Sequence, residues 1–368
     1  MEDRLHWLSA VAGLDLVRYG TTADAEEIRD TAVAQPLLVA SGLVPLLNLF
    51  PHPSDAFGMV GAGAGHSVGE LTAAAAAGVI TAEQAMVLVR ERGNAMAAAA
   101  KATPTGMTAV LGGDPDEVDA AIAKHGLTAA NNNGAGQIVA AGTLEQLEAF
   151  AADPPAGARL RPLQVAGAFH THHMAPAVDL LRRYARSVST HDPRTRLLSN
   201  KDGAVVHHGR EVLARIVEQV SNPVRWDLCM RTMVDLGVTA MIEVPPAGTL
   251  TALAKRGIPG IETVALKTPE DLEAARDLVG RHGSPSPLND APTWRMLVAP
   301  AKGIFRLQGE LGEDVEAGVR VGIVQTGRDE HEVVAPYGGT VVEWLVEDGD
   351  PVSPGQPLVR LHPVAVPA

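Results

Sequence analysis

Residues 59–70 read Met59-Val60-Gly61-Ala62-Gly63-Ala64-Gly65-His66-Ser67-Val68-Gly69-Glu70. The first half is a run of small residues suited to a buried strand. Gly65 to Gly69 has the form G-x-S-x-G, a sharp strand-to-helix turn with a serine at its apex. Flanking glycines let the chain reverse tightly. Such a turn exposes the Ser67 hydroxyl and aims the Val68 N–H at a developing oxyanion. It also sets both at the positive end of a helix. On the pattern alone, a structural turn with a helix-capping serine stays open.

Outward from this turn the chain reads as α/β. Residues 1 to about 50 are predicted helical, most clearly Ala32 to Phe50, and Thr81 to Ala100 is a helix with Thr81 as its N-cap. From Met107 the rhythm becomes β-α-β-β-α-β. Strands are expected at Met107–Leu111, Leu127–Asn131, Gln137–Ala141 and Leu160–Val165, with helices at Pro115–His125 and Leu144–Ala152. That order predicts an inserted ferredoxin-like subdomain over about 104–166. Beyond His170, helices are expected at Pro176–Ser187, Glu211–Val220, Trp226–Leu236 and Thr249–Arg256. Strands are expected at Arg196–Ser199 and Ala240–Val244. Alternating strands and helices predict a mainly parallel sheet, so residues 1–280 read as one parallel-sheet, hydrolase-like α/β domain.

Residues 281–294 are a linker by composition. Residues 295–363 change class to short strands and Gly turns, and they repeat. Ala299-Pro300 followed by Gly303 matches Ala335-Pro336 followed by Gly339, and the segment 312–318 matches 349–355. Two similar β halves predict a small pseudo-symmetric β-sandwich.

Composition narrows the function classes. Hydrophobic residues are 46% and charged residues 20% of the 368, enough for a sizeable core. A net charge of −13 argues against nucleic acid as a main partner. The N-terminus, Met1-Glu2-Asp3-Arg4, has no signal-peptide pattern, and Gly and Pro interrupt each apolar stretch before membrane-spanning length. Cys229 is the only cysteine, which rules out an intrachain disulfide and fits a cytoplasmic location.

A serine nucleophile needs a base. Among 13 histidines, His170 is favoured because Gly167-Ala168-Phe169-His170-Thr171 follows a predicted strand and opens a loop. A surface or capping role remains its alternative. His172 and His173 are nearby decoys. No cysteine or acidic residue sits beside them at metal-ligand spacing, so no metal is expected.

Several blocks then carry a family resemblance in order along the chain. They are the elbow with His66 and Glu70, Arg90-Glu91-Arg92-Gly93 with Met96, residues 131–137 (Asn131 to Gln137), Ala168-Phe169-His170, residues 217–226, and residues 243–250. Together they resemble the acyltransferases of fatty-acid and polyketide synthesis, most closely the malonyl-CoA:acyl carrier protein transacylase family. The resemblance implies Ser67 as acylated nucleophile and His170 as general base and acid. It implies Gln219 as the group orienting His170, and Arg92 as the partner of the malonyl carboxylate. Asn133 and Phe169 would line the substrate site, with a turn role as the alternative for Asn133, and Phe169 before the histidine resembles the malonyl-selective form. It further implies malonyl-CoA and a holo acyl carrier protein as partners. A serine esterase or thioesterase shares the elbow and is the alternative enzyme.

Two features depart from that family. No G-Q-G-x-Q-like loop, source of a second oxyanion donor, occurs near the start. A start downstream of the native one is expected on that ground; if the start is native, a catalytically impaired scaffold becomes the alternative. The tail resembles a biotinyl/lipoyl carrier domain, yet its hairpin, Val324-Gln325-Thr326-Gly327-Arg328-Asp329-Glu330-His331, has Arg328 near the place of the attachment lysine. No lysine follows Lys302. Amide attachment needs a lysine amine, so neither biotin nor lipoate is expected as a cofactor.

Overall fold

The computed structural model describes residues 2–50, 53–283, 295–310, 313–327, 329–336 and 338–363. The chain divides into two compact units, residues 1–287 and 288–368.

In the first unit, the helix Thr31–Leu49 starts where the Asp30 side chain accepts from the Ala32 N–H. Its Val39, Ala40, Leu43 and Val44 enter a core shared with Leu71, Ala85, Met86 and Val89. Gly93 permits the neighbouring helix, Ala82–Ala100, to come close: a Cβ there would lie 2.8 Å from the Thr31 carbonyl oxygen. Thr81 caps that helix as expected, in a reciprocal box with Gln84. Pro36 and Pro45 lie inside Thr31–Leu49 without ending it. This helix is long and apolar enough to cross a membrane, contrary to the sequence expectation, but half of it is buried inside the fold.

The strand expected at residues 59–64 is reduced to Ala62–Gly63, because the helix Pro53–Met59 takes the preceding residues. Ala62–Gly63 pairs in parallel with Arg196–Leu198, which pairs antiparallel with Val205–Val206. Ala240–Glu243 pairs in parallel with Glu262–Ala265. The parallel character is therefore present, but in two short pieces. Among the described residues, Ala62–Gly63 and Ala240–Glu243 each bond to a strand on one side only.

Residues 105–162 form the β-α-β-β-α-β subdomain. Thr105–Gly112 pairs antiparallel with both Gln137–Thr143 and Ala158–Pro162, and Thr128–Asn132 flanks Gln137–Thr143. The last strand lies at 158–162, a little before the expected 160–165. Val224–Arg225 adds a fifth, parallel strand against Asn131 and Asn132. This pairing ties the subdomain to the segment that follows Gln219.

The second unit is two four-stranded antiparallel sheets around Leu297, Phe305, Val324, Val341, Leu358 and Val359. The first half of the repeat supplies Arg295–Val298, Gly303–Leu307, Asp314–Val315 and Arg320–Thr326. The second supplies Asp329–Val334, Gly339–Trp344, Pro351–Val352 and Pro357–Pro363. Each sheet takes two strands from each half, and corresponding strands hold corresponding places in the two sheets. The internal repeat is thus a two-fold exchange of strands. Of the expected linker, residues 281 and 282 end the helix Asp271–His282, and 284–294 lie outside the described residues, as does Arg328.

Candidate active site

The elbow is built by close approach. A Cβ on Gly65 would lie 2.0 Å from the backbone carbon and oxygen of Gly69, so only glycine fits. Nothing crowds a Cβ on Gly69, so the second glycine of the pattern is not required by space. Ser67 has φ 53° and His170 φ 61°. Ala135 is the only other non-glycine residue with positive φ among those described. Strain of this kind persists where surrounding contacts over-determine it.

Those contacts come from across the chain. Asn200, fully buried, accepts from the Ser67 N–H at 2.8 Å and donates through Nδ2 to the Gly65 carbonyl at 2.7 Å. One side-chain amide thus braces both sides of the turn. The helix Gly69–Ala76 begins directly behind the serine, and the Val68 N–H, ahead of its first turn, donates to no acceptor among the described residues. It remains available to an incoming oxygen.

Ser67 Oγ lies 2.8 Å from His170 Nε2. His170 Nδ1 lies 2.9 Å from the backbone carbonyl of Gln219. A carbonyl only accepts, so Nδ1 carries the proton and Nε2 presents its lone pair to the serine hydroxyl. Burial, then the nearby charge of Arg92, bring the imidazole down to about 3, against the opposing effect of its bond to Gln219. It is therefore neutral at physiological pH, as a base must be. The orienting group is the main chain of Gln219. Its side chain points to Glu70, Asn200 and the Ser67 carbonyl through Nε2, and accepts from Arg92 through Oε1.

Arg92 is buried, with Nη1 donating to Gln35 Oε1 at 2.6 Å and Nη2 to Gln219 Oε1 at 3.1 Å. Nη2 also lies 3.4 Å from Ser67 Oγ. Each of these partners is neutral. Burial lowers the guanidinium to about 10, and Glu70 opposes that fall, so it stays charged at neutral pH. Asn133 Oδ1 accepts from His66 Nε2 at 2.8 Å, and Trp226 meets the His66 ring edge-on at 5.6 Å. Phe169 packs at the seam between the subdomain core and the cluster around Met96 and Met174. The expected site residues Ser67, Val68, Arg92, His170 and Gln219 thus converge, Asn133 joins through His66, and Phe169 adjoins through His170.

Sequence reasoning missed Asn200 and Gln35, and gave Glu70 no role. Asn200 follows a strand with no local signal, and its contacts reach back 130 residues or more. The block 243–250 has a structural explanation. The buried Glu243 carboxylate accepts from the N–H groups of Gly248, Leu250 and Thr251 and from the Thr251 hydroxyl, closing the N-terminus of the helix Thr249–Gly257. Among the described residues no three His, Cys, Asp or Glu side chains are grouped to hold a metal.

A family model described as "Acyl transferase domain" matches residues 8–273. The chain belongs to the acyltransferase family. A second model, "Biotin-requiring enzyme", matches residues 298–361. The "Malonyl CoA-acyl carrier protein transacylase" of Mycobacterium tuberculosis is 50% identical over 281 residues, covering 75% of this chain and 91% of the relative. The crystal structure of MCAT from the same species aligns with TM-score 0.72 at 50% identity, over 75% of this chain and 91% of that one. A type II PKS acyl-carrier protein in complex with its malonyl-transacylase aligns with TM-score 0.70 at 30% identity, over 75% and 90%.

Proposed function

We propose that this acyltransferase moves a malonyl group from malonyl-CoA to the phosphopantetheine thiol of an acyl carrier protein, in fatty-acid or polyketide synthesis. One observation carries the reading: Ser67 Oγ sits between the His170 Nε2 lone pair at 2.8 Å and the Arg92 guanidinium at 3.4 Å. A nucleophile and a cation for a carboxylate therefore share one oxygen's neighbourhood. The transacylase names of the relatives support it.

The malonyl carboxylate pairs with Arg92, whose planar fork suits two carboxylate oxygens. Acetyl groups would leave that buried charge unpaired and are rejected on that account. Ser67 Oγ attacks the thioester carbonyl while its proton passes to His170 Nε2. The Val68 N–H donates to the tetrahedral oxyanion, with the helix end behind it. The C–S bond breaks, and the imidazolium returns its proton to the departing thiol. The Gln219 carbonyl holds the ring through both transfers. The carrier thiol then attacks the malonyl-serine, its proton goes to His170, and Ser67 leaves as the hydroxyl. Asn133 and Phe169 shape the surroundings through His66 and His170.

The second unit resembles a carrier, but its chemistry does not fit biotin or lipoate. Thr326 pairs with Asp329 at the end of its hairpin, where the sequence holds no lysine. The unit's one lysine, Lys302, precedes the strand Gly303–Leu307 elsewhere in the sandwich. We infer a docking or stabilising role for it, against a neutral fusion with no role; deletion of residues 290–368 that leaves stability, oligomeric state and carrier-protein affinity unchanged would favour the neutral fusion. The lone cysteine, Cys229, is buried, in keeping with a cytoplasmic setting.

The test is intact-mass analysis after incubation with malonyl-CoA, then with holo carrier protein. One malonyl adduct mapping to Ser67, discharged onto the carrier thiol, is expected. No adduct, or discharge to water alone, would overturn the reading.

A further inference from the structure

Behind the serine lies a buried acid that the transfer itself does not use. Glu70, in the first turn after the elbow, is 5% exposed. Its Oε1 accepts from the Asn200 N–H at 2.7 Å and its Oε2 from Gln219 Nε2 at 2.5 Å. On the other side of the same Gln219 amide, Oε1 accepts from Arg92. A neutral amide therefore stands between a buried carboxylate and a buried guanidinium.

That amide has one orientation. Around its nitrogen stand Glu70 Oε2, the Ser67 carbonyl and Asn200 Oδ1. Facing its oxygen is a guanidinium, which can only donate. Turned over, the amide would set oxygen against two certain acceptors and N–H against a donor. An ionised Glu70 thus fixes the Gln219 side chain, and Gln219 fixes Arg92. The separation matters as much as the linkage. A carboxylate touching Arg92 would compete with the substrate's own, whereas one amide away it supplies counter-charge and leaves the guanidinium unpaired.

We propose that Glu70 is a positioning residue for substrate selection: acting through the Gln219 amide, it aims Arg92 beside Ser67 and keeps that charge free for the carboxylate of a malonyl-type thioester. This rests on the reading of Arg92 given above.

The environment lets the linkage be read by pH. Facing Glu70 are Arg92, Arg215 from the helix Gly209–Gln219, and Cys229 from the helix Trp226–Asp235. Arg215 is engaged by Asp202 and Glu211, and burial pushes the Cys229 thiol up to about 12. Burial raises Glu70 to about 7, against the hydrogen bonds from Asn200 and Gln219. Burial also holds His66 below its ordinary value. A cavity of about 10 Å³, lined by Glu70, Leu197, Ser199, Val212 and Arg215, lies behind the carboxyl. It has room for about one water.

The experiment measures Ser67 acylation by malonyl-CoA and by acetyl-CoA, on the full chain, from pH 6 to 8.5. Wild type, Glu70→Gln and Arg92→Ala are compared. The ratio of the two kcat/KM values cancels changes in serine and histidine reactivity. In wild type the malonyl preference should rise by about tenfold through pH 7, the size of one charge-assisted hydrogen bond. In Glu70→Gln it should be lower by about that factor at pH 8, mainly through KM for malonyl-CoA, and flat with pH. A flat wild-type preference, or a Glu70→Gln variant with wild-type preference while Arg92→Ala loses it, overturns the role of Glu70 and leaves Arg92 standing. An Arg92→Ala variant that keeps the preference overturns both. If Glu70→Gln does not fold, the wild-type profile decides alone.

Discussion

The two units of this chain bury different things. Among the described residues, every fully buried polar or charged side chain belongs to the first unit: Gln35, Glu70, Arg92, Asn133, His170, Asn200, Gln219, Glu243 and several threonines among them. The second unit closes its sandwich over Leu297, Phe305, Val324, Leu358 and Val359, with no buried charged residue among those described. Buried polar groups are costly unless fully bonded. Where they are collected, as around Ser67, they hold a strained serine and an unneutralised guanidinium in place. The second unit's core is held chiefly by apolar packing instead.

The largest effect should come from Ser67→Ala, which removes the proposed acyl acceptor but little packing. Malonyl transfer should fall on the order of 10⁴-fold or more with an unchanged melting curve. A residual rate near wild type would mean that the polar core serves something else. Phe305→Ala tests the other side. Removing a fully buried ring should cost the second unit about 3–5 kcal/mol, read by denaturant unfolding. Acylation of Ser67 should persist, and its loss would break the division of labour between the cores. Gly65→Ala should lower transfer about 10²-fold, because a Cβ must displace the Gly69 backbone by an ångström or more. Gly69→Ala is the matched control and should stay near wild type. Glu243→Gln should destabilise the first unit by about 1–3 kcal/mol, since an amide cannot accept from all four donors as a carboxylate does.

The smallest effect is a dependence on pH. Glu70 is raised, so between 4.5 and 7 the native state holds the proton more tightly than the unfolded chain. Its contribution to stability therefore declines as pH rises through that window. His170 is lowered to about 3, so its contribution is lost as pH falls from 6.5 toward 3. Glu70→Gln removes only the first of these. The melting temperature of the variant minus that of wild type should grow by a few degrees from pH 5 to pH 8. A constant difference would mean that Glu70 does not titrate in the fold.

What the sequence disclosed follows the range of the interactions. Thr81, the elbow and the strand-helix order of the subdomain were legible because caps, glycine turns and periodicity act over a few residues. The repeat of the second unit was legible as repetition, though not that its halves exchange strands between sheets. His170 stood out by its place after a strand, whereas Arg92 and Gln219 gained roles only through family resemblance. The brace on the elbow was hidden, since Asn200 meets Gly65 and Ser67 across more than 130 residues. So was the division within Gln219, whose main chain meets His170 while its side chain meets Glu70, Asn200 and Arg92. The strand expected at 59–64 gave way because the helix Pro53–Met59 ends just before it.

The exchange of strands in the second unit has a bearing on how it could be cut. Each half leaves its four strands divided between two sheets, so a peptide ending at Thr326 owns no finished layer, nor does one beginning at Asp329. Severed at that hairpin, the pieces should be unstructured apart and fold only on meeting. The tail is thereby expected to behave as a pair of complementing fragments.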